Sequence, residues 1–292
     1  ACAYIPKCRN CDVSLTLHAA LNTLSCHYCG YTERLPEKCP VCNTPGLASK
    51  GFGTEKIEEE VRLLFPDARV QRMDLDTTRN RKSYEKIISD VELEKVDILI
   101  GTQMVTKGLD FQKVSLVGVL NADNLLNYPD FRAHERAFQL MTQVSGRAGR
   151  KYKRGLVVIQ SSSPDHPVIT QVYRHDYGAM YSLQIDERKL FRYPPYFRMI
   201  EITLKHKDLQ KLNDSVREMA HEMRAVFGAR VLGPVVPAIS RVQNLYIRQF
   251  ILKIEHEASL TKAKEYLKDI TDRVLSKPVY RSVKISHDVD PY

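Results

Sequence analysis

Gln143-Val-Ser-Gly-Arg-Ala-Gly-Arg150 sets two glycines and two arginines into eight residues. Glycines at 146 and 149 allow a tight turn with close backbone approach. Guanidinium groups at 147 and 150 suit the charge that develops on a γ-phosphate during phosphoryl transfer. A second chemistry is concentrated at the other end of the chain, where all seven cysteines fall within the first 42 residues. Cys8-x2-Cys11 and Cys26-x2-Cys29 lie fourteen residues apart, and Cys39-x2-Cys42 follows with Cys2 left to join it. Paired C-x2-C turns present thiolates along one tetrahedral edge, which suits Zn²⁺ at about 2.3 Å per bond.

Alone, the Gly-Arg-Ala-Gly-Arg stretch could equally be a glycine-softened helix end carrying two surface arginines. A second element about forty residues upstream argues otherwise. Asp97-Ile-Leu-Ile-Gly-Thr-Gln-Met104 runs from an apolar strand into a polar turn, and Lys107-Gly108-Leu109-Asp110-Phe111 follows. The two stretches resemble motif V and the QxxGRxGR arginine-finger motif of superfamily-2 helicases. Such arginines act across a cleft, on a nucleotide held by a different RecA-like lobe. That lobe needs GxxxxGK[ST] to cradle the β- and γ-phosphates. The nearest stretch here, Gly101 to Gly108, lacks the internal glycine and the terminal Lys-Ser/Thr pair. The expectation is the second half of a motor.

The cysteines expect a cut of the same kind. Seven thiols are one short of two four-ligand sites, and a C-x2-C ending at Cys2 would begin two residues before Ala1. A disulfide-bonded secreted module fits poorly, because the 250 residues after Cys42 hold no cysteine. His18 and His27 are possible substitutes for the eighth ligand, although a His placed as in C-H-x-C is more often exposed and His18 suits packing or capping better. The apolar candidates of this region are Leu15, Leu17, Leu21, Leu24 and Tyr31, too few for a core. Metal must then supply most of its folding free energy, on the order of 10 kcal/mol per site.

The elements that must position these groups are α/β in pattern. A helix starting at Gly53-Thr54, with Thr54 as N-cap, carries Ile57, Val61, Leu64 and Phe65 as one buried stripe. Strands are expected at 69–73, 97–100, 115–120 and 155–160, with helices at 83–92 and 131–145 between them. That alternation implies a parallel sheet with functional residues at the strands' carboxyl ends, where Asp74, Asp76, Thr102 and Asp123 fall. A connecting helix over 166–190 leads to the aromatic, proline-rich junction Arg192-Tyr-Pro-Pro-Tyr-Phe197. Beyond it, strands at 199–204, 246–254 and 283–285, helices at 208–227 and 260–274 and a turn at 231–237 make an α+β domain. The expected division is a cysteine-rich zinc-binding region at 1–50, a RecA-like helicase lobe at 51–165, the connecting helix, and the α+β domain at 191–292.

The chain holds 44 Lys and Arg against 35 Asp and Glu, a net charge of +9, which suits a polyanionic partner. The last domain carries 18 of those basic residues against 12 acidic ones. Arg241 and Arg248 lie near its predicted turn and strand and are candidate DNA contacts, although an ordinary solvated basic face has the same composition. No apolar run reaches the ~18–20 residues of a membrane span, and no signal peptide opens the chain. The compartment read from this is cytoplasmic.

Taken in order, the cysteine pairs, Gly-Phe-Gly-Thr-Glu55, Arg72-Met-Asp-Leu-Asp-Thr-Thr78, Gly101 to Phe111, Gln143 to Arg150, Tyr193-Pro-Pro-Tyr196 and Asp288-Val-Asp-Pro291 resemble the C-terminal part of the PriA replication-restart helicases, primosomal protein N′. The resemblance runs from Cys2 to Pro291. It implies an ATP- and Mg²⁺-dependent 3′-to-5′ DNA helicase that binds branched and single-stranded DNA, works with single-strand-binding protein and other primosome proteins, and does not enter membranes. It also implies two nested zinc sites, Cys8, Cys11, Cys26 and Cys29 inside, and Cys2, Cys39 and Cys42 in an incomplete outer one. Arg147 and Arg150 would be the fingers, Gln143, Gly108 and Asp110 nucleotide contacts, and Thr102, Gly53 and Thr54 holders of the DNA backbone. A RecG-like translocase that has acquired a zinc ribbon, or a non-motor zinc-containing nucleic-acid-binding protein, remains the alternative.

Overall fold

The computed structural model describes residues 2, 4–18, 22–45, 53–78, 80–106, 114–149 and 155–291. The chain divides into two units, Lys50–Glu187 and a second formed by Ala1–Ser49 together with Arg188–Tyr292.

The cysteine-rich region contains three short antiparallel strands, β1 Thr16–His18, β2 Thr23–Ser25 and β3 Thr32–Arg34, in the order β1-β2-β3. Its buried cluster is small: Cys8, Cys11, Leu15, Leu24 and Cys26, with Leu17 and Tyr31 packed at the edge. Three of its five members are thiols.

In the unit Lys50–Glu187, α1 Thr54–Leu64 precedes β4 Val70–Met73, and α2 Arg81–Glu92 precedes β5 Ile98–Gly101. β4 and β5 pair in parallel, Val70 opposite Ile98 and Met73 opposite Gly101. β6 Leu116–Val119 pairs in parallel with β7 Leu156–Ile159, and α3 Asp123–Leu126 and α4 Ala133–Ser145 lie between them in the chain. The α/β alternation is as expected, but the expected parallel sheet is found as two separate two-stranded parallel ladders. The second ladder's core brings Ala122, Leu126, Ala137, Phe138 and Met141 together with Val168, Val172 and Met180.

Several local expectations differ from the structure. Gly53 is the N-cap of α1 and Thr54 its first helical residue, because the Thr54 hydroxyl is engaged elsewhere. The expected buried stripe on α1 is absent: Ile57 and Val61 are half-buried, and Leu64 and Phe65 are 73% and 56% exposed. Arg62 hydrogen-bonds the carbonyl of Val70 at the start of the four-residue β4. The segment 166–190 holds two helices, α5 Pro167–Arg174 and α6 Tyr177–Leu190. They are separated at His175, which takes the left-handed conformation at φ 53° and ends α5.

The C-terminal segment forms β8 Phe197–His206, α7 Leu209–Phe227, β9 Val231–Val235, β10 Arg241–Val242, β11 Leu245–Glu255, α8 Leu260–Ser276 and β12 Lys284–Val289. The sheet order is β10-β11-β8-β12, with β9 also paired to β11, all antiparallel. Two strand-helix-strand units therefore interlock, each crossing over a strand of the other. Val231–Val235 is a strand rather than the expected turn. Its Pro234 sits where the register with β11 shifts, and such irregular positions tolerate a missing N–H. Gly233 is required there at φ 104°, since a Cβ would come within 2.9 Å of the Gln249 carbonyl oxygen.

Ile200, Ile202 and Leu204 alternate on β8, and Phe250, Leu252 and Ile254 on β11, all buried. They join Leu212, Val216, Met219 and Met223 of α7 and Leu267, Ile270 and Val274 of α8 in one cluster. The spacings of two and of three to four residues are those of a strand and of a helix with one apolar face. Asp208 and Ser259 cap the helices by accepting the amides of Lys211 and Lys262. Phe250→Ala should cost about 3–5 kcal/mol in urea unfolding followed by circular dichroism. Leu64→Ala, at the exposed end of α1, should cost under about 0.5 kcal/mol. Comparable losses from the two substitutions would contradict this division of the core.

Candidate metal centres and phosphate-facing turns

The three cysteine pairs use one turn three times. The amide of the first cysteine donates to the carbonyl five residues on: Cys8 to Val13, Cys26 to Tyr31 and Cys39 to Thr44, at 2.8–2.9 Å. In the second and third turns the residue after the pair is left-handed, Gly30 at φ 74° and Asn43 at φ 56°, and its amide returns to the first cysteine's carbonyl. Glycine and asparagine are the residues that tolerate this conformation.

These turns converge. The sulfurs of Cys8, Cys11, Cys26 and Cys29 all lie within 4.8 Å of one another, as do those of Cys2, Cys39 and Cys42. Every cysteine is a free thiol. Cys8 and Cys29 approach to 3.5 Å, as do Cys2 and Cys39. A tetrahedral zinc with bonds of about 2.3 Å places its sulfurs about 3.8 Å apart, so the inner four fit a closed structural site. The outer three offer three such ligands. His18 and His27 pack edge to face at 5.7 Å between ring centres and belong to neither sulfur group.

Burial pushes the Cys11 thiol up to about 12. The Tyr31 amide draws Cys29 down to about 7, and the hydroxyl and amide of Thr44 draw Cys42 down to about 6. Metal capture must therefore displace protons, most of all at Cys11, and tightens as pH rises.

At the carboxyl end of the β4–β5 ladder the buried carboxylate of Asp74 organises a polar hub. It accepts the Thr54 hydroxyl at 2.6 Å and the amides of Asp76 and Thr77 at 3.0 and 2.9 Å. Arg72 reaches it at 3.1 Å and also pairs with Glu55 and Glu58. Burial alone would raise the Asp74 pKa, but the Thr54 hydroxyl, the Thr77 amide and Arg72 outweigh it and hold the carboxyl below the usual range. The resulting stability is present above the unfolded carboxylate pKa of ~3.9 and is lost as pH falls through the lower folded value. Thr78 links the hub to the 103–106 helical turn that follows β5 through a 3.7 Å contact with the Met104 sulfur. Thr102 sits on the exit of β5, exposed, in the turn before that helical turn. Gly53, Thr54 and Thr102 are thus brought to one end of one ladder. Gly101 permits this, since a Cβ there would lie 2.6 Å from the Met73 carbonyl oxygen.

Residues 146–149 leave α4 as a tight turn. Gly146, Arg147 and Ala148 donate to the carbonyls of Thr142, Val144 and Ser145, and Gly149, at φ 85°, donates to Val114 at 2.9 Å. Gln143 is exposed and Arg147 half-buried. Gly108, Asp110 and Arg150 lie outside the described residues. The turn sits where the chain enters β6 and β7, not at a strand's carboxyl end, while α4 itself packs against the 103–106 turn. Asp123, at the exit of β6, accepts the Ser161 hydroxyl at 2.6 Å and the Ser162 amide at 2.9 Å.

Sequence reasoning missed Gly155. A Cβ there would lie 2.5 Å from Ala148 and from the Gly149 nitrogen, so the strand can pass the arginine turn only as glycine. The signal is a third glycine placed just before a strand, outside the motif. Arg241 and Arg248 are half-buried, with Arg241 on β10 and Arg248 on β11. The Arg248 guanidinium donates to the Ile247 carbonyl at 2.8 Å.

Three family models match these regions in turn. Residues 8–34 match the PriA DNA helicase Cys-rich region, 52–152 the helicase conserved C-terminal domain, and 189–292 the primosomal protein N C-terminal domain. The chain belongs to the PriA family. It is 42% identical over 293 residues to the replication restart protein PriA of Bacillus subtilis, covering 100% of this chain and 36% of the relative. The corresponding proteins of Synechocystis and Chlamydia pneumoniae are each 37% identical, over 297 and 298 residues. They align with 100% and 99% of this chain and 35% and 38% of their own length. The chain thus spans little more than a third of these relatives. The Cys-rich match encloses the inner four thiols, whose geometry is that of a zinc site.

Gly155→Ala should push the arginine turn off Val114. Hydrogen exchange would then show the Gly149 amide losing about tenfold or more of its protection, while amides of β4 and β5 keep theirs. An unchanged Gly149 amide would show that the turn is not held by this contact.

Proposed function

We propose that the chain supplies the second motor lobe, the metal-binding region and the C-terminal domain of an ATP-dependent 3′-to-5′ DNA helicase that restarts stalled replication forks in the cytoplasm. The observation that carries this reading is the arginine turn, braced by Gly149 against Val114 and passed closely by Gly155, inside a segment matching the helicase conserved C-terminal domain.

In this reading Arg147 and Arg150 would reach the γ-phosphate of ATP held with Mg²⁺ by a different lobe and stabilise the negative charge of the transition state. Gln143, Gly108 and Asp110 line the nucleotide's edge. The amides at the start of α1, with Gly53 and Thr54, and the turn at Thr102 hold successive phosphates of one DNA strand. Asp74 keeps the Thr54 and Thr102 turns in register, so that movement of the lobe moves both phosphate contacts together. Arg241 and Arg248 add phosphate contacts from the C-terminal domain. Branched and single-stranded DNA are the substrates, and single-strand-binding protein and other primosome proteins are the partners. The inner four thiols hold one zinc tightly, and Cys2, Cys39 and Cys42 hold a second with an eighth ligand.

The chain holds no Gly-x4-Gly-Lys-Ser/Thr sequence to cradle a nucleotide. Purified alone, it should hydrolyse no ATP with or without DNA. In a complete protein that includes this chain, Arg147→Ala or Arg150→Ala should lower kcat by on the order of 10³-fold while ATP still binds. DNA-stimulated turnover by the chain alone, or full activity in the arginine variants, would overturn the assignment.

A further inference from the structure

The first cysteine turn is built differently from the other two. Cys29 receives the amide of Tyr31 and Cys42 that of Thr44, each two residues on, after a left-handed Gly30 or Asn43. The residue after Cys11 is Asp12, which is not left-handed, and its amide donates instead to the carbonyl of Arg241 at 2.8 Å. The donor to the Cys11 sulfur is the amide of Gln243, 3.3 Å away and 232 residues further along the chain.

Gln243 and Asn244 form the two-residue turn between β10 and β11, at φ 51° and 60°. The amides at the tip of such a turn have no partner inside the hairpin. Here both are used on the first cysteine turn: Gln243 on the Cys11 sulfur, and Asn244 on the Asn10 carbonyl at 2.8 Å. The Ser240 hydroxyl donates to the Asp12 carboxylate at 2.7 Å, and the Asn244 side chain to that of Asn10 at 3.3 Å. Val242 packs on the thiol cluster, and Cys11 is left 1% exposed.

We infer that the inner metal site is completed by the C-terminal domain, with the Gln243 amide as the outer hydrogen-bond donor to the Cys11 thiolate. The inference rests on the four inner thiols holding a thiophilic divalent cation. A thiolate bound to such a cation keeps negative charge, and an N–H aimed at it stabilises the bound state and fixes the ligand's direction. Cys29 and Cys42 take this donor from their own turns, and Cys8 takes one from Asn10 at 3.4 Å, whereas Cys11 takes its donor from Gln243. Metal binding and seating of the Gln243–Asn244 tip then form one equilibrium. Metal loss should free the tip, and loosening the tip should weaken the metal.

The direct test is NMR of the intact chain loaded with cadmium, whose spin couples through a thiolate to any amide proton hydrogen-bonded to it. The expected result is a cadmium-to-proton coupling at the Gln243 amide beside those of the local amides. The second measurement uses Asp12→Ala combined with Ser240→Ala, which leaves all seven thiols and the Gln243 amide in place. Zinc loss to a chelator should be about tenfold faster or more, the scale of an outer-sphere defect. Cadmium bound with local couplings but none at Gln243, or zinc loss unchanged in the double variant, overturns the inference. Failure of the four thiols to bind either metal would overturn the metal-site reading on which it rests.

Discussion

Four sulfurs within 4.8 Å of one another are the constraint on which the N-terminal region depends. Thiolates held this close repel one another, and thiols this close and this buried satisfy few hydrogen bonds. A cation among them turns both penalties into the main source of cohesion. Little else is available, since only Leu15 and Leu24 accompany three cysteines in the buried cluster. The strands β1 to β3 are three residues each, too short to hold register without the turns that the metal closes. The cage also reaches beyond its own region. The β10–β11 tip rests on it, and that hairpin continues into the long strand at the centre of the C-terminal sheet.

The segment that matches the helicase conserved C-terminal domain depends on a different constraint, close approach of backbone to backbone. Gly101, Gly149 and Gly155 each sit where a Cβ would strike a neighbouring chain or where φ is positive. Side chains then set direction. Asp74 ties the start of α1 to the exit of β4, and Thr78 extends the tie to Met104 beyond β5. Turns contributed by separate elements are thereby tied into one edge.

What was legible in the sequence was the chemistry encoded at short range. C-x2-C pairs announce a metal because two ligands within one turn are already half a site. The 143–150 stretch points to a helicase C-terminal lobe, the domain whose model matches residues 52–152. Strand and helix periods placed most elements within a few residues, including β8, α7, β11 and α8. What failed depended on distant partners. The stripe on α1 had the right spacing, but Leu64 and Phe65 are left 73% and 56% exposed. Pro234 read as part of a turn, yet an irregular register on β11 accommodates it as strand. Gly155 lay outside the motif whose turn it permits. The Gln243 amide could not be found by any pattern, because backbone amides leave no trace in residue identity.

The most direct test of this account is hydrogen exchange on the whole chain, zinc-loaded and after chelation. Amides of residues 4–18 and 22–45 should lose protection to the level of an unfolded segment once metal is removed. Those of β8 and of the Phe250 to Ile254 stretch of β11 should remain protected, because their core contains no thiol. Equal protection of the N-terminal region with and without metal would contradict the claim that the sulfur cage, rather than an apolar core, holds it together.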